Sequence, residues 1–330
     1  MDDRGERTEP QRAILEALVA TSAAGRTVTP AEIEAGGGPP IDKLGELMLA
    51  FGLPAPDAHE HAFTPDEAEA MIELWRRNDV WPFELAIQVS RIYGRLLARI
   101  AQASVQLWVS VVEPGLREQG RDAQSAEAQS LMGLLPVSDA LLALVHRRWL
   151  EREAAQVALR EVPLTPDSGG PLAAIEVSFL FCDLKDFTAF ADRQGDAAAV
   201  RIIDRFAAVV THERGPDVRL TKLLGDGFMC SYPNPELAVE AGARIIDAMR
   251  GPDHPGVHAS VHHGLAIPRE GDYFGAAVNL TARLLVQADR DELVATRIVV
   301  ERCSSHRWEP AGALRIRGIS HDVEVFRLLR

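Results

Sequence analysis

Through residues 1–160, apolar positions recur every three or four residues, the period of a helix that buries one face. Almost nothing in this half reads as strand. Two segments open on Thr-Pro, TPAEIEA from Thr29 and TPDEAEAMIELW from Thr64. A Thr cap, Pro at the first helical position and acidic residues in the first turn predict helix starts at both. A long helix is predicted from Phe83 to about Val112, carried by Leu85, Val89, Ile92, Leu96, Ile100, Val105, Leu107 and Val111. Another is predicted over Asp139–Leu159, with Leu142, Val145, Trp149 and Val157 on its apolar side.

The stretch EVPLTPDSGGP, Glu161–Pro171, gathers Pro, Gly, Ser and Asp, which break periodic structure. It predicts a boundary: a helical domain over 1–160, a linker over 161–171 and a second domain over 172–330. Beyond it the pattern becomes mixed. IEVSFLFC (Ile175–Cys182) is strand-like, Ala189–Glu213 helical, and Val218–Tyr232 a hairpin turning at Gly225-Asp226-Gly227. Glu236–Met249 reads as helix, His258–Ile267 as strand, Ala276–Gln287 as helix, and Leu314–Arg317 and Val323–Leu328 as short strands. Strands alternating with helices around hairpins give an α+β expectation with helices packed on one sheet.

Composition narrows the function classes. A net charge of −13 over 330 residues argues against nucleic acid or anionic lipid as the partner. The three cysteines, Cys182, Cys230 and Cys303, make no CxxC pair and no disulfide framework, as expected of buried thiols in a reducing compartment. The start of the chain, MDDRGERTEP, lacks an apolar signal core, and no apolar run reaches the ~20 residues that span a bilayer. The expectation is a cytoplasmic protein without a transmembrane segment.

Three segments carry chemistry. In FCDLKDFT, an apolar strand ends at Asp183 just before a helix, so a carboxylate able to hold a divalent cation precedes backbone N–H groups able to cradle phosphate. Taken alone, an Asp at a strand end is most often only a turn former or cap. In TKLLGDGFM, strand alternation places Lys222 on the face of Leu220 and Leu224, where it either snorkels at an edge or reaches a ligand. Asp226 stands in a Gly-flanked turn that admits a metal or phosphate, or is a plain hairpin turn. In GDYFGAAVNLTARLL, Asn279 and Arg283 share a helix face and Asp272 precedes them. An amide and a guanidinium projecting together suit a sugar and a phosphate, although a solvated polar face has the same pattern.

The order of these features, strand-end Asp, Lys-x-x-x-Asp in a hairpin, then Asp followed by Asn-x-x-x-Arg, resembles the class III adenylyl/guanylyl cyclase domain over about Ala174–Arg330. The resemblance implies a ferredoxin-like βαββαβ catalytic domain. It assigns Asp183, Asp226 and the Leu184 carbonyl to two divalent cations, Mg²⁺ or Mn²⁺, and Phe187 and Thr188 to the β- and γ-phosphates. Lys222 and Asp272 match the purine-reading pair, Asn279 and Arg283 the transition-state pair, and Arg317 in RIRG a ligand of the terminal phosphates. Lys222 can donate to adenine N1 and Asp272 can accept from N6, whereas guanine offers O6 and a protonated N1. ATP is therefore the expected substrate, and 3′,5′-cyclic AMP and pyrophosphate the products. In this family the metal and transition-state residues come from opposite subunits, which implies a head-to-tail homodimer with two composite sites.

The first half, from VTPAEIEA to AMIELW, is similar to helical regulatory domains that precede bacterial class III cyclase domains, including autoinhibited, pH-responsive ones. A helix-turn-helix reading competes, but IDKLGELMLAF offers one Lys and no Arg to DNA. The expectation is regulation through dimerising long helices, strained through 161–171; His59, His61 and His146 are candidates to titrate near neutral pH, although ordinary surface or core histidines explain each of them better. Against the enzyme stands a catalytically silent nucleotide-binding module. Such modules lose a metal Asp or the Asn/Arg pair, and this chain keeps all six positions. The turn LLGDGF separates it from diguanylate cyclases, which read GG(D/E)EF.

Overall fold

The computed structural model describes residues 25–107, 110, 123–159, 174–215, 218–251, 254–269, 271–315 and 322–329. The linker residues 161–171, Val111 and Arg317 lie outside them. The chain divides into two compact units, Met1–Leu164 and Thr165–Arg330. No helix among the described residues is long and apolar enough to cross a membrane.

The described part of the first unit holds α1 (Pro30–Ala35), α2 (Ile41–Ala50), α3 (Pro65–Arg76), α4 (Phe83–Leu107) and α5 (Ala123–Leu159). A single bridge, Val28 to Phe63, joins the loops before α1 and α3. Both Thr-Pro starts form reciprocal caps. The Glu32 N–H donates to Thr29 Oγ1 at 3.2 Å while the Thr29 N–H donates to Glu32 Oε2 at 2.9 Å. Thr64 and Glu67 repeat this at 3.2 and 2.8 Å. Each box satisfies two otherwise orphaned helix-end donors, worth about 1 kcal/mol. Ile33, Leu44, Phe63 and Ala68 make a small core. A Cβ on Gly94 would lie 2.2 Å from the Phe51 carbonyl oxygen, so α4 approaches that turn as only glycine allows. His61 Nδ1 lies 3.0 Å from the Thr27 carbonyl, and Tyr93 Oη 3.0 Å from His146 Nε2, linking α4 to α5. Helix α5 starts well before the expected Asp139, at Ala123, and runs through Pro136.

In the second unit, β1 (Ile175–Leu184) leads through α6 (Phe187–Gln194) and α7 (Asp196–Glu213) to the hairpin β2 (Arg219–Leu224) and β3 (Gly227–Tyr232). There follow α8 (Pro235–Met249), β4 (Val257–Arg269), β5 (Asp272–Phe274), α9 (Ala276–Leu284) with a 3₁₀ turn (Leu285–Gln287), β6 (Leu293–Thr296), α10 (Arg297–Arg302), β7 (Arg307–Leu314) and β8 (Val323–Leu329). The single helix expected over 189–213 is two. Gly195, at φ 81°, ends α6 and caps α7, a conformation L-residues resist. The strand expected at Leu314–Arg317 ends instead at Leu314, as part of β7.

The strands run β2-β3-β1-β4-β6-β8-β7, with β5 paired to β4. The first four are mutually antiparallel in the order of a βαββαβ unit, and β6 joins β4 in parallel to extend the sheet. Strand β1 is buried on both faces, which is why IEVSFLFC is a near-continuous apolar run. Leu180 and Cys182 face a large core with Phe206, Ile245 and Met249 from α7 and α8, where Phe206 meets Phe228 edge to face at 5.2 Å. Val177, Phe179 and Phe181 face a smaller core with Met229, Tyr273 and Ala277. By alternation Asp183 falls on this second, thinly covered face.

Candidate active site

Asp183 sits at the end of β1, with Gly227 of β3 opposite on one side and His258 of β4 on the other. The turn at Gly225, φ 71°, brings Asp226 beside it. One N–H ties the two together: that of Leu184 donates to Asp183 Oδ1 at 3.0 Å and to the Asp226 carbonyl at 3.3 Å. Burial, and then the charge of Asp183, push the Asp226 carboxyl above its ordinary range. Two acids that repel each other at a half-buried strand end form a set that a cation would relieve. Glycine at 227 keeps the space open, since a Cβ there would lie 2.9 Å from Asp183 Oδ1. The residues present fit divalent cations.

Lys222 Nζ lies 3.2 Å from Asp272 Oδ2, and the Tyr273 N–H donates to Asp272 Oδ1 at 2.9 Å. The strand alternation expected through Leu220, Lys222 and Leu224 does not hold. A bulge between Leu220 and Lys222 leaves Leu220 opposite Cys230 and Lys222 opposite Met229, so only Lys222 and Leu224 keep the two-residue spacing. The extra residue aligns Lys222 with Met229 and Phe181, on the face where Tyr273 packs.

Asn279 and Arg283 are exposed on α9, one turn apart. One buried polar bond ties this helix to β4, and a second lies within it. Ser260 Oγ donates to the Thr281 carbonyl at 2.8 Å, and Thr281 Oγ1 donates to the Ala277 carbonyl at 2.7 Å. Gly264 lets it lie close to β4, because a Cβ there would be 3.2 Å from Ala277 Cβ. Phe187 and Thr188 form the first turn of α6, Phe187 half-buried against the main core and Thr188 exposed. The carboxylate pair, the Lys222–Asp272 pair and the Asn279/Arg283 face are thus held by β1, the β2–β3 hairpin, β5 and α9 of one sheet-and-helix unit.

Two residues near Asp183 escape a sequence reading. Lys185 Nζ donates to the Ala288 carbonyl at 3.0 Å, and His258 Nδ1 lies 3.1 Å from the same oxygen. His258 Nε2 stands 3.9 Å from Asp183 Oδ2. Only the pairing of β1 with β4 could have signalled them. Glu236, Glu240 and His306 also gather, their ligand-type atoms within 4.8 Å of one another, on α8 and the loop before β7.

No protein-family profile matches the chain. It is 26% identical over 322 residues to a pH-sensitive adenylate cyclase of Mycobacterium tuberculosis, covering 93% of this chain and 79% of that one. It is 25% identical over 232 residues to an adenylate cyclase of Streptomyces coelicolor, covering 69% of this chain and 58% of the relative. Among solved structures it is similar to the adenylyl cyclase CyaB from P. aeruginosa, at 16% identity and a TM-score of 0.44, over 48% of this chain and 96% of that one.

Proposed function

We propose that this chain is a class III nucleotide cyclase that converts ATP to 3′,5′-cyclic AMP and pyrophosphate at sites that two copies complete together, a reading supported by its similarity to the mycobacterial and Streptomyces adenylate cyclases. The observation that carries the reading is the meeting of four residues scattered along the sequence in two functional pairs, Asp183 with Asp226 and Lys222 with Asp272. Each pair has the chemistry its proposed task requires.

The 3′-hydroxyl oxygen must form a bond to the α-phosphorus while the bond to the β-phosphate oxygen breaks and the hydroxyl proton leaves. Lys222 keeps N–H donors beyond the one given to Asp272, and Asp272 keeps lone pairs, so together they offer a donor beside an acceptor to the adenine edge. Asn279 orients the ribose, and Arg283 faces charge growing on the transferring phosphoryl, where a preorganised donor acts most strongly. The first-turn amides at Phe187 and Thr188 receive the β- and γ-phosphates, a task that Arg317 is proposed to share. Asp183, Asp226 and the Leu184 carbonyl would hold two divalent cations, which when bound acidify the hydroxyl and neutralise the leaving group.

A second copy is the proposed source of the missing half of each site. Leu265 and Phe274, on the paired strands β4 and β5, are apolar residues exposed at 60 and 54%, which supports a partner surface on that edge. The first unit is proposed to be regulatory, which the pH-sensitive name of the mycobacterial relative supports. The test is a product assay with purified chain, Mn²⁺ and ATP, GTP, CTP or UTP in turn. Cyclic AMP from ATP is expected, at the highest rate of the four. No cyclic product from any of them, with a dimer present, refutes the proposal.

A further inference from the structure

The end of β1, which carries Asp183 and Leu184 of the proposed metal ligands, is strapped down by the next residue, Lys185, to which no role is assigned. Lys185 is anchored twice: its N–H donates to the Gly256 carbonyl at 2.7 Å, and its Nζ donates to the Ala288 carbonyl at 3.0 Å. The first bond fixes the peptide between Leu184 and Lys185. In a planar trans peptide the C=O points opposite to the N–H, so the Leu184 carbonyl is turned away from Gly256 and held there. The second bond ends on a fully buried residue, Ala288, just past the 3₁₀ turn that continues α9. His258 approaches the same carbonyl through Nδ1 at 3.1 Å and stands across the β1–β4 register from Asp183. The two lone pairs of one carbonyl thus receive both straps. Asp289 Oδ1 lies 4.0 Å from Lys185 Nζ and is the one carboxylate within that distance of it among the described residues.

We propose that Lys185 is a positioning residue: through Ala288 it holds Asp183 and the Leu184 carbonyl in a metal-ready arrangement and ties them to the segment bearing Asn279 and Arg283. The proposal rests on the cyclase reading of Asp183 and Leu184. Its sign is diagnostic. A lysine acting only as a nearby positive charge opposes cation binding, so removing it would tighten the metal. A lysine acting as a strap has the opposite effect, because ligands released from their supporting bonds lose about 10- to 100-fold in affinity.

The experiment titrates Mn²⁺ calorimetrically into full-length chain saturated with 3′-deoxy-ATP, which lacks the attacking hydroxyl and cannot turn over. Lys185→Met is expected to weaken Mn²⁺ binding about tenfold. Lys185→Arg, which keeps a donor, is expected to recover it to within about threefold. His258→Ala, losing the second strap, should shift affinity in the same direction. In turnover assays Lys185→Met should raise the half-saturating Mn²⁺ concentration while leaving the rate at saturating metal within about twofold. Unchanged or tighter Mn²⁺ binding in Lys185→Met, or failure of Lys185→Arg to restore it, overturns the inference. Asp183→Asn separates the two levels. If it binds Mn²⁺ as wild type does, the cyclase reading of Asp183 fails; if it loses binding while Lys185→Met does not, only the strap fails.

Discussion

Lys222 Nζ and Asp272 Oδ2 meet at 3.2 Å across the gap between β2 and β5, although fifty positions separate them in the chain. A local irregularity in β2 and a backbone bond in β5 set the two side chains. The bulge after Leu220 sets the phase of Lys222, and the Tyr273 N–H fixes the Asp272 carboxylate. The lysine remains half exposed, so a purine edge can compete for its unused donors. Lys222→Ala is expected to lower kcat/KM for ATP by roughly 10- to 100-fold, the worth of ~1.5–3 kcal/mol for a hydrogen bond to a charged group. Steady-state kinetics with ATP and GTP check this, and the ATP preference should shrink along with the rate.

The space beside Asp183 depends on a missing side chain. A methyl group at position 227 would lie 2.9 Å from Asp183 Oδ1 and 3.2 Å from its Cγ, so the carboxylate must turn aside. Gly227→Ala should therefore fold, yet need about tenfold more Mn²⁺ for half-maximal rate, a typical cost of a displaced ligand shell. A metal-activation curve superimposable on wild type would exclude this role for the glycine.

Asp226 supplies a prediction whose sign runs against a usual stabilising carboxylate. Burial and the neighbouring charge of Asp183 raise its pKa, so the folded state holds a proton more tightly than the unfolded chain. The ionised form costs stability at neutral pH, and that cost disappears as pH falls below the unfolded value near ~3.9. Asp226→Asn should raise the Tm of the metal-free protein at pH 7 while abolishing turnover, and the gain in Tm should narrow on acidification. Thermal melts between pH 4 and 7, with chelator present, provide the comparison.

His262 acts in the opposite pH direction. Burial first, and His263 second, depress its pKa to about 4, and its Nδ1 lies 2.8 Å from Thr296 Oγ1. The unfolded chain takes up the proton near the ordinary value of ~6.5 while the folded state refuses it. Stability is therefore complete above that value and is lost as pH falls toward 4, by up to ~3 kcal/mol at about 1.4 kcal/mol per pH unit. His262→Gln, which does not titrate, should flatten the fall in Tm over that window. Equal slopes for wild type and variant would show that other groups dominate acid stability.

Much of the candidate site was legible because its residues are tied to local pattern changes. Asp183 ends a doubly buried strand, Asp226 sits between two glycines, and Asn279 and Arg283 repeat at helical spacing. Thr29 and Thr64 likewise announce their helices through cap chemistry alone. What escaped depends on pairing between distant segments. Nothing in RLTKLL marks the bulge, no Gly or Pro sits there, and β5 and β6 are only three and four residues long. Gly195 reads as a tolerated glycine within a helical period until its positive φ is seen. The convergence of Lys185 and His258 on Ala288 needs β1, β4 and the end of α9 assembled, which no periodicity encodes.

The most direct test of the central claim mixes two inactive forms. Asp183→Ala removes a metal carboxylate and Arg283→Ala removes the transition-state guanidinium, so each alone should make almost no cyclic AMP from ATP with Mn²⁺. Dissociated and reassociated together, they form mixed dimers in which one site holds both intact halves, and roughly a quarter of wild-type activity should return if pairing is random. Failure of the mixture to regain activity, with mixed dimers confirmed and wild type active, would contradict a composite adenylyl cyclase site.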